Sequence, residues 1–219
     1  MIPGGRQGGG LFIVLEGGDG SGKSTQARLL ADALRERGFD VVLTQEPAGT
    51  PLGKLVKSVF ERAHTDVGSA RLSPMTELFL FEAARADHVR AVIRPALDAG
   101  RIVVCDRFAD STLAYQGYGR GLPLEDVRRL NAIAMEGLMP DLVLVFDVPP
   151  EVGLARADSG AQKRRDSIGQ ESLEFHHRVR EGFLEIARAG GERYVVVNAT
   201  RPQDEVAEEV LRAVLERLG

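Results

Sequence analysis

Residues 12–24 read FIVLEGGDGSGKS, an apolar run that leads into a glycine-rich loop. The segment from Gly17 to Ser24 fits the pattern G-x-x-x-x-G-K-[ST], and helical spacing begins at Lys23. Because glycines let consecutive N–H groups point at one anion, and a helix N-terminus adds partial positive charge, this stretch predicts a phosphate-binding loop. In such a loop the lysine contacts the outer phosphates of ATP and the serine hydroxyl binds Mg²⁺. The predicted donor site comprises Gly17, Gly18, Asp19, Gly20, Ser21, Gly22, Lys23, Ser24 and Thr25.

Outward from this loop, short apolar runs rich in β-formers alternate with longer runs of helical spacing. The predicted strands are 12–15, 41–44, 102–105, 142–146 and 194–197, and the predicted helices are 23–37, 74–99, 124–136, 172–189 and 203–218. Strands that are apolar on both faces belong to a parallel sheet covered by helices on each side. The sequence therefore predicts an α/β, three-layer P-loop NTPase fold with a five-stranded parallel sheet and a ligand crevice at the carboxyl ends of the strands.

Length and composition favour one domain and exclude some classes of partner. A chain of 219 residues that is 43% hydrophobic can bury one core, so we predict a single domain over residues 11–219 after a flexible tail, residues 1–10. The 28 basic and 32 acidic residues give a net charge of -4, which leaves no overall positive field for a nucleic-acid polymer. No run of apolar residues is long enough for a membrane span and no secretory signal occurs, so we predict a cytoplasmic location.

A carboxylate and a guanidinium follow the predicted strand 102–105, in the sequence Asp106-Arg107-Phe108. At the rim of the crevice, Asp106 can bind a magnesium-bound water or Lys23, and Arg107 can hold a monophosphate with its planar fork. A plain ion pair at the strand end is the structural alternative. Asp19 is unexpected in a phosphate loop because its charge repels phosphate. We predict another partner for it, such as a hydroxyl of a second substrate, with a turn-capping role as the alternative.

Phe81 and Arg85 are four residues apart on the predicted helix 74–99 and therefore share a face. One could stack on a flat base while the other bonds the edge of that base. Core packing plus a surface charge is the alternative interpretation.

Three consecutive cations, Lys163, Arg164 and Arg165, lie among glycine, serine and aspartate between two helical patterns. We interpret residues 157–171 as a lid, because phosphoryl transfer requires charge stabilisation and the exclusion of water. A solvated charge run is the alternative.

Four sequence blocks, residues 16–24, 46–50, 81–85 and 106–117, together resemble those of bacterial thymidylate kinases. The likeness runs from about residue 12 to residue 218. The first block is common among P-loop proteins, whereas the other three in this order are close to diagnostic. The resemblance implies a magnesium-dependent homodimer that transfers the γ-phosphate of ATP to dTMP in the synthesis of dTTP.

The resemblance also implies roles for individual side chains. Phe81 would stack on thymine, Arg85 would bond the base edge, and Arg107 would bind the acceptor phosphate. Asp19 would meet the sugar 3′-hydroxyl, and Tyr115 would occupy the space of a ribose 2′-hydroxyl. The implied acceptor site comprises Asp19, Glu46, Pro47, Phe81, Arg85, Arg107, Ser111, Thr112, Tyr115 and Gln116, with Ser24 and Asp106 as the metal ligands and Arg156 and the turn 198–200 beside the donor base.

Two positions depart from the family pattern. Gln45 stands where many bacterial members have an arginine before Glu-Pro, so Arg107 would carry more of the acceptor phosphate's charge. The lid has Ser167 where members without a loop arginine usually carry one. The catalytic arginine must therefore come from elsewhere, and we predict Arg165, with Arg164 as the second candidate.

Two other functions fit parts of the sequence. A kinase for a different small acceptor would keep the phosphate loop and change the pocket, and Phe81, Arg85 and the run 111–117 argue against it. A nucleotide-dependent switch or partitioning ATPase would commonly carry a second lysine early in the loop, where this chain has Gly17-Gly18-Asp19.

Overall fold

Five parallel strands form one sheet in the computed structural model, which describes residues 10–62, 72–159 and 167–219. The strand order is β2-β3-β1-β4-β5, which places β1 at the centre. Each strand continues one or two residues beyond its predicted end, because polar residues there still pair with a neighbour, as Asp106 does with Leu15 and Gln45. The strands are β1 Phe12–Gly17, β2 Val41–Gln45, β3 Ile102–Asp106, β4 Leu142–Asp147 and β5 Tyr194–Asn198.

Helices occupy most of the chain between the strands. All five predicted helices are confirmed to within two residues at their ends, although the predicted helix 74–99 is divided. The α-helices are α1 Lys23–Glu36, α2 Pro51–Arg62, α3 Pro74–His88, α4 Arg94–Asp98, α5 Ala109–Thr112, α6 Leu124–Met135, α7 Pro150–Ser159, α8 Leu173–Gly190 and α9 Gln203–Leu218. Two π-helical segments, Val89–Ile93 and Leu113–Gly119, and a 3₁₀ turn, Gly191–Arg193, complete the described part. None of the described helices combines the length and apolar content of a membrane span.

The division of the helix 74–99 has a local cause. The π-helical segment Val89–Ile93 ends just before Pro95, which has no backbone N–H and cannot continue regular α-helical bonding. The chain continues as α4, which ends at Asp98. Gly100 follows with a left-handed φ of 76°, as expected for a glycine at the end of a helix.

The sheet separates two apolar cores. Phe12 and Val14 of β1 pack on the side of α3, α6 and α8, whereas Ile13 and Leu15 pack on the side of α1 and α9. This alternation follows from the two-residue period of a strand, and the burial of both sets explains why the run is wholly apolar. The three-layer α/β architecture is confirmed, and its central strand delivers the glycine-rich loop to the crevice.

Candidate active site

The glycine-rich loop follows β1 directly and opens α1, as its pattern predicts. Gly20 has a φ of 67°, and a Cβ placed on it would lie 1.8 Å from the Gly153 carbonyl oxygen of α7. Only glycine therefore allows the loop to pack this closely against α7. The Lys23 ammonium is folded back into the loop, where it donates to the Gly18 carbonyl at 2.6 Å and to Ser21 Oγ at 3.1 Å.

Lys23 is buried, and burial lowers the pKa of its ammonium group from 10.5 to about 8. The nearby positive charge of Arg107 contributes to this lowering, while Asp106 and Asp19 partly oppose it. The lysine is therefore held where an incoming polyphosphate would favour its charged form.

Ser24 and Asp106 meet across the crevice, because β3 ends beside the start of α1. The Ser24 hydroxyl donates to Asp106 Oδ2. The other carboxylate oxygen, Oδ1, is buried and accepts no hydrogen bond from any described residue. A hydroxyl and a carboxylate with a free oxygen suit Mg²⁺, which keeps several waters and takes few protein ligands. The predicted metal ligands are thus adjacent and chemically suitable.

Arg107 joins the loop to the other side of the crevice. Its φ of 72° turns the chain sharply after β3, and its guanidinium donates through Nη2 to Asp19 Oδ1 at 2.6 Å. Nη1 donates to the Gly17 carbonyl at 3.1 Å and to Ser111 Oγ at 3.2 Å. The Tyr115 hydroxyl donates to the same Asp19 oxygen at 3.1 Å. Asp19 therefore has two partners within the chain, Arg107 and Tyr115.

Asp19 is an anion in this arrangement. Burial raises the pKa of its carboxyl, but Arg107 and Lys23 outweigh that effect, so the pKa lies below its ordinary value. Arg107 also keeps its charge. Burial alone would lower its pKa, but Tyr115 and the carboxylates of Asp19 and Asp106 outweigh that effect and raise the pKa above its ordinary value.

Glu16, at the end of β1, shapes the turn that carries Arg107. Its carboxylate accepts from Phe108 N at 2.8 Å, Ser111 N at 3.1 Å and Ser111 Oγ at 2.6 Å. Burial, with a contribution from nearby Asp110, raises the pKa of Glu16 to about 8. Sequence reasoning assigned Glu16 only to a motif, because its partners lie more than 90 positions away.

A pocket of about 780 Å³, partly open to solvent, lies beside the phosphate loop. All ten residues predicted for the acceptor site line it: Asp19, Glu46, Pro47, Phe81, Arg85, Arg107, Ser111, Thr112, Tyr115 and Gln116. Sequence reasoning missed four further lining residues, which are Lys57, Phe60, Phe108 and Ile168.

Phe60 covers one face of Phe81, with ring centroids 4.6 Å apart and planes 9° apart. It comes from α2, a helix that sequence reasoning did not predict. The helical spacing of Leu52, Val56 and Phe60 was the available signal, although Gly53 interrupts it.

Arg85 is buried and saturated with acceptors. Nε donates to Glu46 Oε2 at 3.0 Å, and Nη1 donates to Glu82 Oε1 at 2.9 Å and to Asn131 Oδ1 at 2.6 Å. Nη2 donates to the Phe108 carbonyl at 3.1 Å. A bond from Arg85 to a base must therefore share an N–H with one of these acceptors.

Comparisons with known proteins agree on one family. The family model described as thymidylate kinase matches residues 15–210. The chain belongs to the thymidylate kinase family. A thymidylate kinase of a Synechococcus species is 51% identical over 95% of this chain and 96% of its own length. A thymidylate kinase of Nitratidesulfovibrio vulgaris is 49% identical over 93% and 95%. The crystal structure of thymidylate kinase from Ehrlichia chaffeensis has a TM-score of 0.75 and 34% identity, covering 94% of this chain and 99% of its own.

The two remaining groups of predicted residues lie toward the donor side and the lid. Arg156 donates through Nη1 to the Ala199 carbonyl at 2.8 Å, so it adjoins the turn 198–200 with which it was paired by resemblance to the family. Lys163, Arg164 and Arg165 lie outside the described residues. The described C-terminal part of the predicted lid segment contacts the pocket, since Ile168 lines the pocket and Ser167 N donates to the Phe60 carbonyl at 3.4 Å.

Proposed function

We propose that this member of the thymidylate kinase family is an ATP-dependent kinase that transfers the γ-phosphate of ATP to dTMP, giving dTDP and ADP for dTTP synthesis. One observation carries the proposal: the acceptor pocket adjoins the phosphate loop through Asp19 and Arg107, which are themselves ion-paired at 2.6 Å. A monophosphate held by Arg107 would lie next to a triphosphate held by Lys23. An oxygen of the monophosphate would then attack the γ-phosphorus while the bond to the β–γ bridging oxygen breaks.

On the acceptor side, we propose that each wall of the pocket recognises a different part of dTMP. The face of Phe81 opposite Phe60 is the one that could stack on thymine. Arg107 presents a charged fork for the phosphate, and Asp19 presents an acceptor for the 3′-hydroxyl. Tyr115 would fill the space that a 2′-hydroxyl needs.

On the donor side, we propose that Ser24 and Asp106 hold Mg²⁺, Asp106 directly or through water. The ion would neutralise charge on the transferring phosphoryl group. Lys23 would contact the outer phosphates once ATP displaces its bonds to the loop. Arg165 or Arg164 stays our prediction for the catalytic arginine.

We also propose that the chain acts as a homodimer. Three neighbouring helices expose large apolar side chains: Leu55 on α2 is 65% exposed, Phe79 on α3 is 55% exposed, and Ile133 on α6 is 71% exposed. Packing these side chains against a second copy of the chain would remove them from water. Leu55→Glu should shift the sedimentation coefficient to that of a monomer. Val152→Glu on α7 is the matched control, and a monomeric wild type would refute the dimer.

Membership of the family also supports proposals on the extent of the domain and on the cellular location of the protein. We propose one kinase domain over residues 11–219, preceded by the tail 1–10, and a cytoplasmic location. Limited proteolysis of the full chain tests the first: a stable fragment that begins near residue 11 is expected.

The decisive measurement is which monophosphate the chain phosphorylates. Coupled ADP release by the full chain, with ATP and Mg²⁺, would be compared across dTMP, dUMP, dCMP, dGMP and AMP. We expect the highest kcat/KM for dTMP. Preference for another monophosphate would make the chain a different nucleotide kinase, and ATP hydrolysis independent of any acceptor would favour a switch.

A further inference from the structure

A third side chain extends the row formed by Phe81 and Arg85 on α3. Glu77 lies one turn before Phe81 and is buried, although it does not line the pocket. Its carboxylate accepts three N–H donors. Arg120 donates from Nη2 to Oε1 at 2.8 Å and from Nε to Oε2 at 3.0 Å, and Gln116 donates from Nε2 to Oε2 at 3.0 Å.

Arg120 makes Glu77 an acceptor only. The guanidinium of Arg120 donates to both oxygens of the Glu77 carboxylate, so both oxygens serve as hydrogen-bond acceptors. The guanidinium is itself fixed, because Nη1 donates to Glu171 Oε1 at 2.7 Å and Cζ lies over the Phe175 ring, 4.9 Å from the centroid.

This arrangement decides the orientation of the Gln116 amide. An amide side chain can present either its oxygen or its nitrogen to a neighbour, and the hydrogen-bond network selects between them. A carboxylate that only accepts requires the NH₂ group of Gln116. Gln116 also lines the acceptor pocket, so its oxygen Oε1 is the atom left for a bound base.

We propose that Glu77, held by Arg120, is a positioning residue that fixes the Gln116 amide with its oxygen toward the pocket and thereby selects bases whose edge carries an N–H. This inference rests on the proposed function. Thymine and uracil carry a ring imide N–H, whereas cytosine has an unprotonated acceptor nitrogen at the same ring position. Facing the Gln116 oxygen, cytosine would oppose acceptor to acceptor, which leaves a buried polar group unpaired.

Glu77→Gln tests the inference with almost no change in shape. The new amide cannot accept from both Arg120 nitrogens and from Gln116 at once, so the Gln116 amide loses its fixed orientation. We expect kcat/KM for dTMP to fall about tenfold, while that for dCMP holds or rises. Turnover of dUMP should fall in parallel with that of dTMP. The KM for ATP should stay within about twofold, which loss of the fold would not allow.

Glu171→Gln is the matched control. It removes the charge of the other carboxylate that pairs with Arg120, but its amide oxygen can still accept from Nη1. Arg120 therefore stays in place on Glu77, and the dTMP-to-dCMP ratio of kcat/KM should stay unchanged. A second variant combines Glu77→Gln with Gln116→Glu. The carboxylate at position 116 then always offers an oxygen to the pocket, so the ratio should return toward that of the wild type. This double variant decides the matter if Glu77→Gln does not fold.

The outcomes separate the two proposals. If the wild type does not phosphorylate dTMP, the proposed function fails and this inference falls with it. If the wild type does, an unchanged dTMP-to-dCMP ratio in Glu77→Gln overturns the positioning role alone. An equal loss of that ratio in Glu171→Gln, or a double variant that stays unselective, overturns it as well.

Discussion

The phosphate loop and the acceptor pocket lie side by side and are built in opposite ways. The loop is one contiguous stretch whose glycines expose backbone N–H groups, and its shape depends on backbone conformation and on a close approach to α7. The pocket takes its side chains from both sides of the chain's midpoint, from Asp19 to Ile168. The loop can therefore be identified from local sequence, whereas the pocket exists only when distant elements pack.

The two regions also differ in how they hold charge. In the loop, one ammonium group rests on neutral oxygens, the Gly18 carbonyl and Ser21 Oγ, and is available to a new anion. In the pocket, Arg85 is committed to several acceptors at once. Substitutions in the loop should therefore affect chemistry, and substitutions in the pocket should affect selection of the acceptor.

The largest effect is expected at Lys23. Lys23→Ala removes the charge that would contact the outer phosphates in a site shielded from water, so kcat should fall about a thousandfold. ADP release at saturating ATP and dTMP measures it. Lys54→Ala, at an exposed lysine of α2, is the matched control and should keep normal turnover. Turnover of Lys23→Ala near that of the control would contradict the assignment of the donor site.

The phosphate loop and the strands were predictable from local sequence, unlike most of the pocket. Gly17 to Ser24 specify their own turn and helix start, so the motif needs no tertiary information. The strands were predictable because burial on both faces leaves continuous apolar runs. Phe81, Arg85 and Arg107 were candidates from local sequence, each with a structural alternative left open. The resemblance to the family joined them with the other pocket residues, since no spacing rule connects Asp19 with Phe81 or Tyr115.

The rest depended on packing that the sequence does not display. Residues 113–119 form a π-helix that places Tyr115 and Gln116 at the pocket, and no simple periodicity predicts such a segment. Arg85 bonds Asn131, 46 positions away, and Arg120 bonds Glu77, 43 positions away. Pairs this far apart along the chain leave no local signal in the sequence. The glycine within α2 concealed the helix that supplies Phe60.

Phe81 gives the sharpest contrast with Lys23. Phe81→Ala should raise the KM for dTMP about 10- to 100-fold through lost stacking, while the KM for ATP and kcat change little. Steady-state kinetics with each substrate varied in turn would measure this split. Phe60→Ala is the companion variant, because it removes only the support behind the ring and should have a smaller effect in the same direction. Equal changes in both KM values would mean that Phe81 is merely part of the core.

The pH dependence probes the loop without changing the pocket. Lys23 must be charged to attract phosphate, and burial places its pKa at about 8, so the charge is present below pH 8 and lost above it. We expect kcat/KM for ATP to fall toward tenfold per pH unit above about 8, because this ratio reports groups of the free enzyme. The corresponding fall in kcat should lie at higher pH, since bound phosphates favour the ammonium.

Glu16 has a pKa of about 8 as well, so a second variant is needed to assign the titration. Lys23→Arg keeps its charge throughout this range and should lack the alkaline fall, whatever its residual activity. A wild-type profile that stays level between pH 7 and 9.5 would contradict the role given to the lysine.

The smallest effect is expected at the junction of the two regions, where Tyr115 contacts both Asp19 and Arg107. Its hydroxyl lies 3.1 Å from Asp19 Oδ1, while its ring lies 5.2 Å from the Arg107 guanidinium carbon. Tyr115→Phe removes only the hydroxyl, and Asp19 keeps its ion pair with Arg107. The hydroxyl makes two hydrogen bonds, since it donates to Asp19 and also accepts from Arg107 Nη2 at 3.3 Å. Their loss should lower kcat/KM for dTMP about two- to tenfold.

Tyr115→Ala separates the hydroxyl from the ring. It empties the space proposed to exclude a 2′-hydroxyl, so the preference for dTMP over its ribonucleotide counterpart should erode, whereas Tyr115→Phe should leave that preference intact. Specificity constants for the two acceptors, measured on all three proteins, provide the comparison. If both variants lose the preference equally, the hydroxyl rather than the filled volume excludes the ribose. If neither loses it, Tyr115 only orients Asp19, and the selection of the sugar lies elsewhere in the pocket.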